Sequence, residues 1–169
     1  MARWTCRYAA YGSNLHPMRI QERTPSARLL GPGLLEGFGL RFHKRSVDGS
    51  AKCNVAAHGD GVHVAVYEMS SDDKRLLDAI EGVGRGYASG TVDVSEFGAC
   101  AIYIAELSHI DETLRPYDWY RDLVVLGCRE MNFPANYHDR IVALATTTDP
   151  DQKRSELNRR LVDRIRNGT

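Results

Sequence analysis

The chain has 169 residues, about one domain's length, and can bury roughly two-thirds of its unfolded surface. It is 43% hydrophobic and 26% charged, the balance of an ordinary globular protein. Its 22 Lys/Arg offset 22 Asp/Glu, which argues against whole-domain capture of nucleic acid or an anionic membrane, and no apolar run approaches the roughly 18 residues that span a bilayer.

Residues 3–11 read as a strand entering the interior, after which the chain turns at Gly12-Ser13-Asn14. Pro17 suits the first turn of a short helix that runs to Arg23, and Thr24-Pro25-Ser26 breaks it. Residues 29–43 are Gly-rich. Within them Phe38, Leu40 and Phe42 alternate with Gly39 and Arg41, a strand signal of period two. Residues 52–58 and 62–69 flank Gly59-Asp60-Gly61 and predict a hairpin.

Ser70 and Ser71 cap a helix, with Asp73 three residues after Ser70; Leu76, Leu77 and Ile80 form its apolar face. It ends near Glu81, and Gly82, Gly84 and Gly86 follow. Residues 87–94 and 99–106 predict a second hairpin. After Pro116 the period changes: Tyr120, Leu123, Val124, Gly127, Cys128 and Met131 fall at steps of three and four, a buried helix face. Phe133-Pro134 interrupts it. A further helix turns Tyr137, Ile141 and Val142 inward, Asp149-Pro150 breaks the chain, and Leu157, Leu161 and Ile165 line a last helix.

Strands dominate the first two-thirds and helices the end. The expectation is one domain over residues 1–169, of α+β class, with a curved, barrel-like, mostly antiparallel sheet and flanking helices. Cys6, Cys53, Cys100 and Cys128 have neither C-x-x-C nor zinc-finger spacing and read as reduced thiols packed in the core. Residues 1–8 carry no signal-peptide core, so the expected location is a reducing cytoplasm.

Three features could carry chemistry. The first is Tyr11-Gly12-Ser13-Asn14-Leu15, where consecutive amides ahead of a helix could form an anion-binding nest. The same residues could equally be a plain strand–helix turn with Asn14 as the cap. The second is Glu81-Gly82-Val83. A carboxylate in the last turn of a helix faces the negative end of the dipole, and burial beside Leu77 and Ile80 would also disfavour its charge. That suits a group that takes and returns a proton, although a lone Glu there could simply be solvated. The third is the set Tyr11, Tyr87, Tyr103, Tyr117, Tyr120 and Tyr137, whose rings and hydroxyls could line a pocket or pack in the core.

Other patterns fall short. Ser13 lacks the G-x-S-x-G elbow, and His58 and His63 lack a metal-binding spacing. The Arg/Lys residues of the last helix are diluted by acids and read as a solvated face.

The turn and the acid together resemble the gamma-glutamylcyclotransferase family. The resemblance rests on Tyr8-Ala9-Ala10-Tyr11-Gly12-Ser13-Asn14-Leu15, Thr24-Pro25-Ser26-Ala27, Glu81-Gly82-Val83 followed by Gly86-Tyr87, and Tyr120, Leu126-Gly127 and Phe133-Pro134-Ala135-Asn136-Tyr137. It covers about residues 5–145 in consistent order. Ala9 and Phe133 depart from the family's usual Phe and Leu, changes that touch packing and pocket lining.

The resemblance implies cyclisation of a gamma-glutamyl compound to 5-oxoproline with release of an amino acid or amine, a reaction of glutathione metabolism. Glu81 would be the general acid/base, without cofactor, metal or covalent intermediate. Tyr11, Gly12, Ser13, Asn14, Leu15, Tyr87 and Tyr137 would bind substrate, and family likeness suggests a homodimer. Arg85 is the candidate cation for a leaving-group carboxylate. The rival reading is a catalytically silent binder of small metabolites on the same scaffold.

Overall fold

The structure, a computed structural model, describes residues 5–168. The first two residues of the predicted opening strand, and the start of the stretch read for a signal peptide, lie outside the described residues.

Strand β1 (Thr5–Ala10) lies at the centre of a five-stranded sheet. Its last three residues, Tyr8, Ala9 and Ala10, are all buried, so the strand shows a continuous apolar run rather than alternation. The order is β2 (Arg28–Leu35), β5 (Val62–Ser70), β1, β7 (Gly98–Ala105), β6 (Tyr87–Val94). β1 pairs with β5 antiparallel and with β7 parallel, and the remaining pairs are antiparallel. The sheet curls until its edges touch, and a Cβ added at Gly33 on β2 would come within 2.8 Å of Val94 on β6. No ladder joins those edges. The sheet is therefore curved but open, and barrel-like only in outline.

One strand goes unannounced in the sequence, and one strand reading needs correction. β2 contains Gly31-Pro32-Gly33, a poor strand signal. It is tolerated because β2 is an edge, where Pro32 needs no second partner. The predicted hairpin across Gly59-Asp60-Gly61 does not form. β4 (Ala51–Ala57) pairs instead with β3 (Phe38–Arg45) in a separate two-stranded sheet, while β5 joins the large one. Gly59 packs directly on the Gly39 backbone, where an added Cβ would approach to 2.4 Å. The glycines thus serve a crossing between sheets.

Helix α1 (Pro17–Arg23) follows the first turn, and its cap is His16, whose Nδ1 accepts from the Met18 amide; Asn14 is not the cap. Helix α2 (Ser71–Glu81) is capped by Ser70 and closed by Gly82 in the left-handed conformation, φ 73°. Only Leu77 of its predicted apolar face is buried, whereas Leu76 and Ile80 are 47% and 43% exposed.

Helix α3 (Asp118–Glu130) buries Tyr120, Leu123, Val124, Gly127 and Cys128 as its periodicity predicts. Gly127 admits Leu15, since an added Cβ would sit 2.3 Å from the Leu15 Cβ. Helices α4 (Ala135–Val142) and α5 (Gln152–Asn167) turn Tyr137, Ile141, Leu161 and Ile165 inward. Val142 and Leu157 face solvent instead. All four cysteines are free; Cys53, Cys100 and Cys128 are buried and Cys6 is half-buried. No helix among the described residues is long and apolar enough to cross a membrane.

Candidate active site

Three chain ends meet at Glu81: the turn after β1, the last turn of α1 and the last turn of α2. Glu81 Oε1 accepts from Asn14 Nδ2 at 2.9 Å and from Arg23 Nη1 at 3.0 Å. Arg23 Nη1 also donates to Asn14 Oδ1 at 3.1 Å, and Asn14 Nδ2 lies 3.2 Å from the Tyr8 hydroxyl. Asn14 is buried, and its amide ties Glu81, Arg23 and Tyr8 together. The Glu81 side chain retains 18% exposure, enough to meet a ligand. Arg23 sits where the negative end of α1 favours a cation and supplies a positive charge to Glu81 at the unfavourable end of α2.

A small recess adjoins the carboxylate, lined by Gly12, Ser13 and Asn14 of the turn, by Cys53, and by Tyr11, Tyr87, Tyr103 and Tyr120. Its four phenols are anchored from behind. Tyr11 donates to the Tyr103 carbonyl, Tyr87 to the Cys53 carbonyl, and Tyr103 to Asp78 Oδ1 at 2.7 Å, while the Tyr120 hydroxyl accepts from the Cys53 amide at 3.0 Å. Burial pushes the Tyr11, Tyr87 and Tyr120 hydroxyls well above the usual phenol range, so these walls stay neutral.

Gly12 is needed for closeness rather than for unusual backbone angles. A Cβ there would meet both Cys53 Cβ and the Tyr120 hydroxyl at 3.2 Å. The Leu15 amide is consumed by the Gly12 carbonyl at 3.1 Å, whereas the Ser13 and Asn14 amides have no acceptor among the described residues.

The recess opens into a cavity of about 300 Å³ that shares Ser13, Glu81, Tyr87 and Tyr120 and adds Arg19, Arg23, Lys44, Asp48 and Lys52. The sequence signals of the turn and the acid therefore converge on one place. Leu15 lies just behind it, fully buried against Gly127 with its carbonyl held by the Tyr67 hydroxyl. Tyr137 is elsewhere: it lines a separate cavity with Arg41 and Arg140 and packs on His63. Arg85 is exposed and lines neither chamber around Glu81. Arg19, Arg23, Lys44 and Lys52 carry no local sequence signal, because only the tertiary fold brings α1, β3 and β4 to the same cavity.

A family model described as the AIG2-like family matches residues 61–141. Human gamma-glutamylcyclotransferase is 27% identical over 95% of this chain and 88% of its own length, and the Bos taurus protein matches equally. A solved structure named gamma-glutamyl cyclotransferase superposes with a TM-score of 0.83 at 27% identity, covering 95% of this chain and 99% of that one.

The chain resembles the gamma-glutamylcyclotransferases over nearly its whole length. YkqA from Bacillus subtilis, at 17% identity and a TM-score of 0.71, shares the fold, with 85% of this chain covering 56% of that one.

Proposed function

We propose that the protein cyclises a gamma-glutamyl compound to 5-oxoproline and releases the amine or amino acid bound through the γ-amide. The observation that carries this reading is the Glu81 carboxylate fixed by Asn14 and Arg23 at the edge of a phenol-lined recess. The likeness to proteins named gamma-glutamylcyclotransferase supports it.

The substrate's α-amine, with a pKa of about 8, is largely protonated at neutral pH and must lose a proton to become nucleophilic. Once that first proton has passed to solvent, Glu81 accepts a second from the neutral amine nitrogen as it attacks the γ-carbonyl carbon. The new C–N bond closes a five-membered ring, the C–N bond to the leaving group breaks, and Glu81 returns the proton to the departing nitrogen. The amides of Ser13 and Asn14, unpaired among the described residues, hold the carbonyl oxygen in this reading while it carries negative charge. Because nucleophile and electrophile belong to one molecule, the protein needs chiefly to fold the substrate on itself; the rings of Tyr11, Tyr87 and Tyr103 form the walls for that task.

The test is incubation of the purified protein with gamma-glutamyl amino acids, glutathione and gamma-glutamylamines, with 5-oxoproline quantified. Release by the native protein and not by Glu81→Gln supports the reading. Ligand binding without 5-oxoproline from any substrate overturns it in favour of a silent binder.

A further inference from the structure

The cavity outside the recess carries more positive charge than the protein neutralises. Of its four cations, Arg23 is paired with Glu81 at 3.0 Å and Lys52 with Asp48 at 2.8 Å. Arg19 and Lys44 have no acidic group within 4 Å among the described residues. Two positive charges are left over.

Neither sits in open solvent. Arg19 Nε is buried and has no hydrogen-bond partner among the described residues. Burial, with Arg23 adding repulsion, pulls its guanidinium down to about 10. Lys44 is 6% exposed and is held in place from two sides: its Nζ lies 4.5 Å from the centre of the Tyr87 ring, and Gly86 is so close that an added Cβ would come within 2.9 Å of the same nitrogen. An unpaired buried cation is costly, and a bound anion removes that cost. The recess itself is lined by neutral phenols and turn residues, with Glu81 its only charge. Uncompensated positive charge therefore lines the outer cavity and not the recess.

Resting on the cyclisation reading, we propose that Arg19 and Lys44 form a subsite for the leaving group and select it by its number of carboxylates. The glutamyl part occupies the phenol recess, and the departing amino acid lies in the outer cavity. One carboxylate leaves one of the two cations unmatched, whereas an acidic amino acid matches both. A gamma-glutamylamine matches neither, and one ending in an ammonium group is repelled.

The experiment compares three substrates: gamma-glutamyl-glutamate, gamma-glutamyl-glutamine and gamma-glutamylethylamide. The first two differ only in one carboxylate against an amide of the same shape. A charge-assisted hydrogen bond discriminates by roughly ten- to a hundredfold, so kcat/KM should fall by about that factor at each step. In Arg19→Met and Lys44→Met the ratios between substrates should shrink towards one. Arg19→Met should also keep or raise the melting temperature, because it removes a half-buried charge whose Nε is buried without a partner among the described residues.

A native enzyme indifferent to the three substrates overturns the proposal. So do variants that lose all three equally, which would put the cations on the glutamyl part. Calorimetric titration with free glutamate and free glutamine reads the subsite without turnover. If no substrate yields 5-oxoproline yet glutamate binds more tightly, and Arg19→Met abolishes the difference, the cyclisation reading fails and the anion subsite stands. Equal binding of the two amino acids removes the subsite.

Discussion

Arg23 Nη1 lies 3.0 Å from Glu81 Oε1, and both touch the side chain of Asn14. The last turns of two helices are pinned together at the residue proposed to move the proton. Replacing Glu81 by Gln keeps the shape and removes proton transfer. We expect Glu81→Gln to fold normally and to lose roughly 10²–10⁴-fold in kcat, measured by 5-oxoproline release beside a thermal melt. Near-native turnover would take Glu81 out of the reaction.

Arg23 acts through Glu81. Arg23→Met removes one of the two donors on Oε1 and leaves Asn14 alone to orient the carboxylate. The loss should fall mainly on kcat, by roughly tenfold or more, with KM little changed. Arg23→Lys should restore part of it. A change confined to KM would make Arg23 a contact for substrate instead.

The crowding around Gly12 can be tested by relief. In Gly12→Ala the new methyl meets the Tyr120 hydroxyl at 3.2 Å, so the turn must shift and activity should drop. Adding Tyr120→Phe deletes that oxygen and should recover part of the lost activity. If the double variant is no better than the single, the Cys53 contact on the other side dominates.

Gly127→Ala should be harsher for stability, because the approach to Leu15 is 2.3 Å and the neighbour is a buried Cβ rather than the end of a side chain. Overpacking of this kind costs about 1–3 kcal/mol. Chemical denaturation checks it, and an unchanged midpoint would contradict the packing described for α3.

Acid should weaken the helical end of the molecule first. Asp149 is buried, accepts from Trp119 Nε1 at 3.0 Å and is bound by two nitrogens of Arg154. The Arg154 guanidinium holds its carboxyl down at about 2, below the unfolded value of about 3.9. The folded state therefore gains stability from the ionised form above pH 4, and loses it as pH falls from about 4 towards 2. Melts across that range should show a steeper decline for the native chain than for Asp149→Asn, which should start lower at neutral pH. Parallel curves would exclude Asp149 as the source.

What the sequence reveals depends on how local the signal is. Gly12-Ser13-Asn14 and Glu81-Gly82 can be read because a turn and a helix end are written in adjacent residues, and Ser70 with Asp73 marks the start of the helix that carries Glu81. The stripe from Tyr120 to Met131 is legible for the same reason: one helix face repeats. Gly59-Asp60-Gly61 misleads because a short glycine loop looks alike whether it joins two strands of a ladder or passes between sheets. The outward positions of Leu76, Ile80, Val142 and Leu157 are set by where neighbours end, which periodicity does not encode. The partners of Glu81 are hidden most deeply: Arg23 is 58 residues away in sequence, and nothing beside it announces the contact.

Lys44 stands on the two-stranded sheet, whereas Glu81 and the turn hang on the five-stranded one. The ribbon of β3 and β4 forms no ladder with the larger sheet, so a change at Lys44 leaves strand register around the acid intact, whereas Cys53 and Asn54 of the same ribbon are tied to Gly12 and to the β7 backbone. Over evolutionary time, the Lys44 half of substrate preference is free to drift on the ribbon, while the Arg19 half is inherited with the helix that carries Arg23.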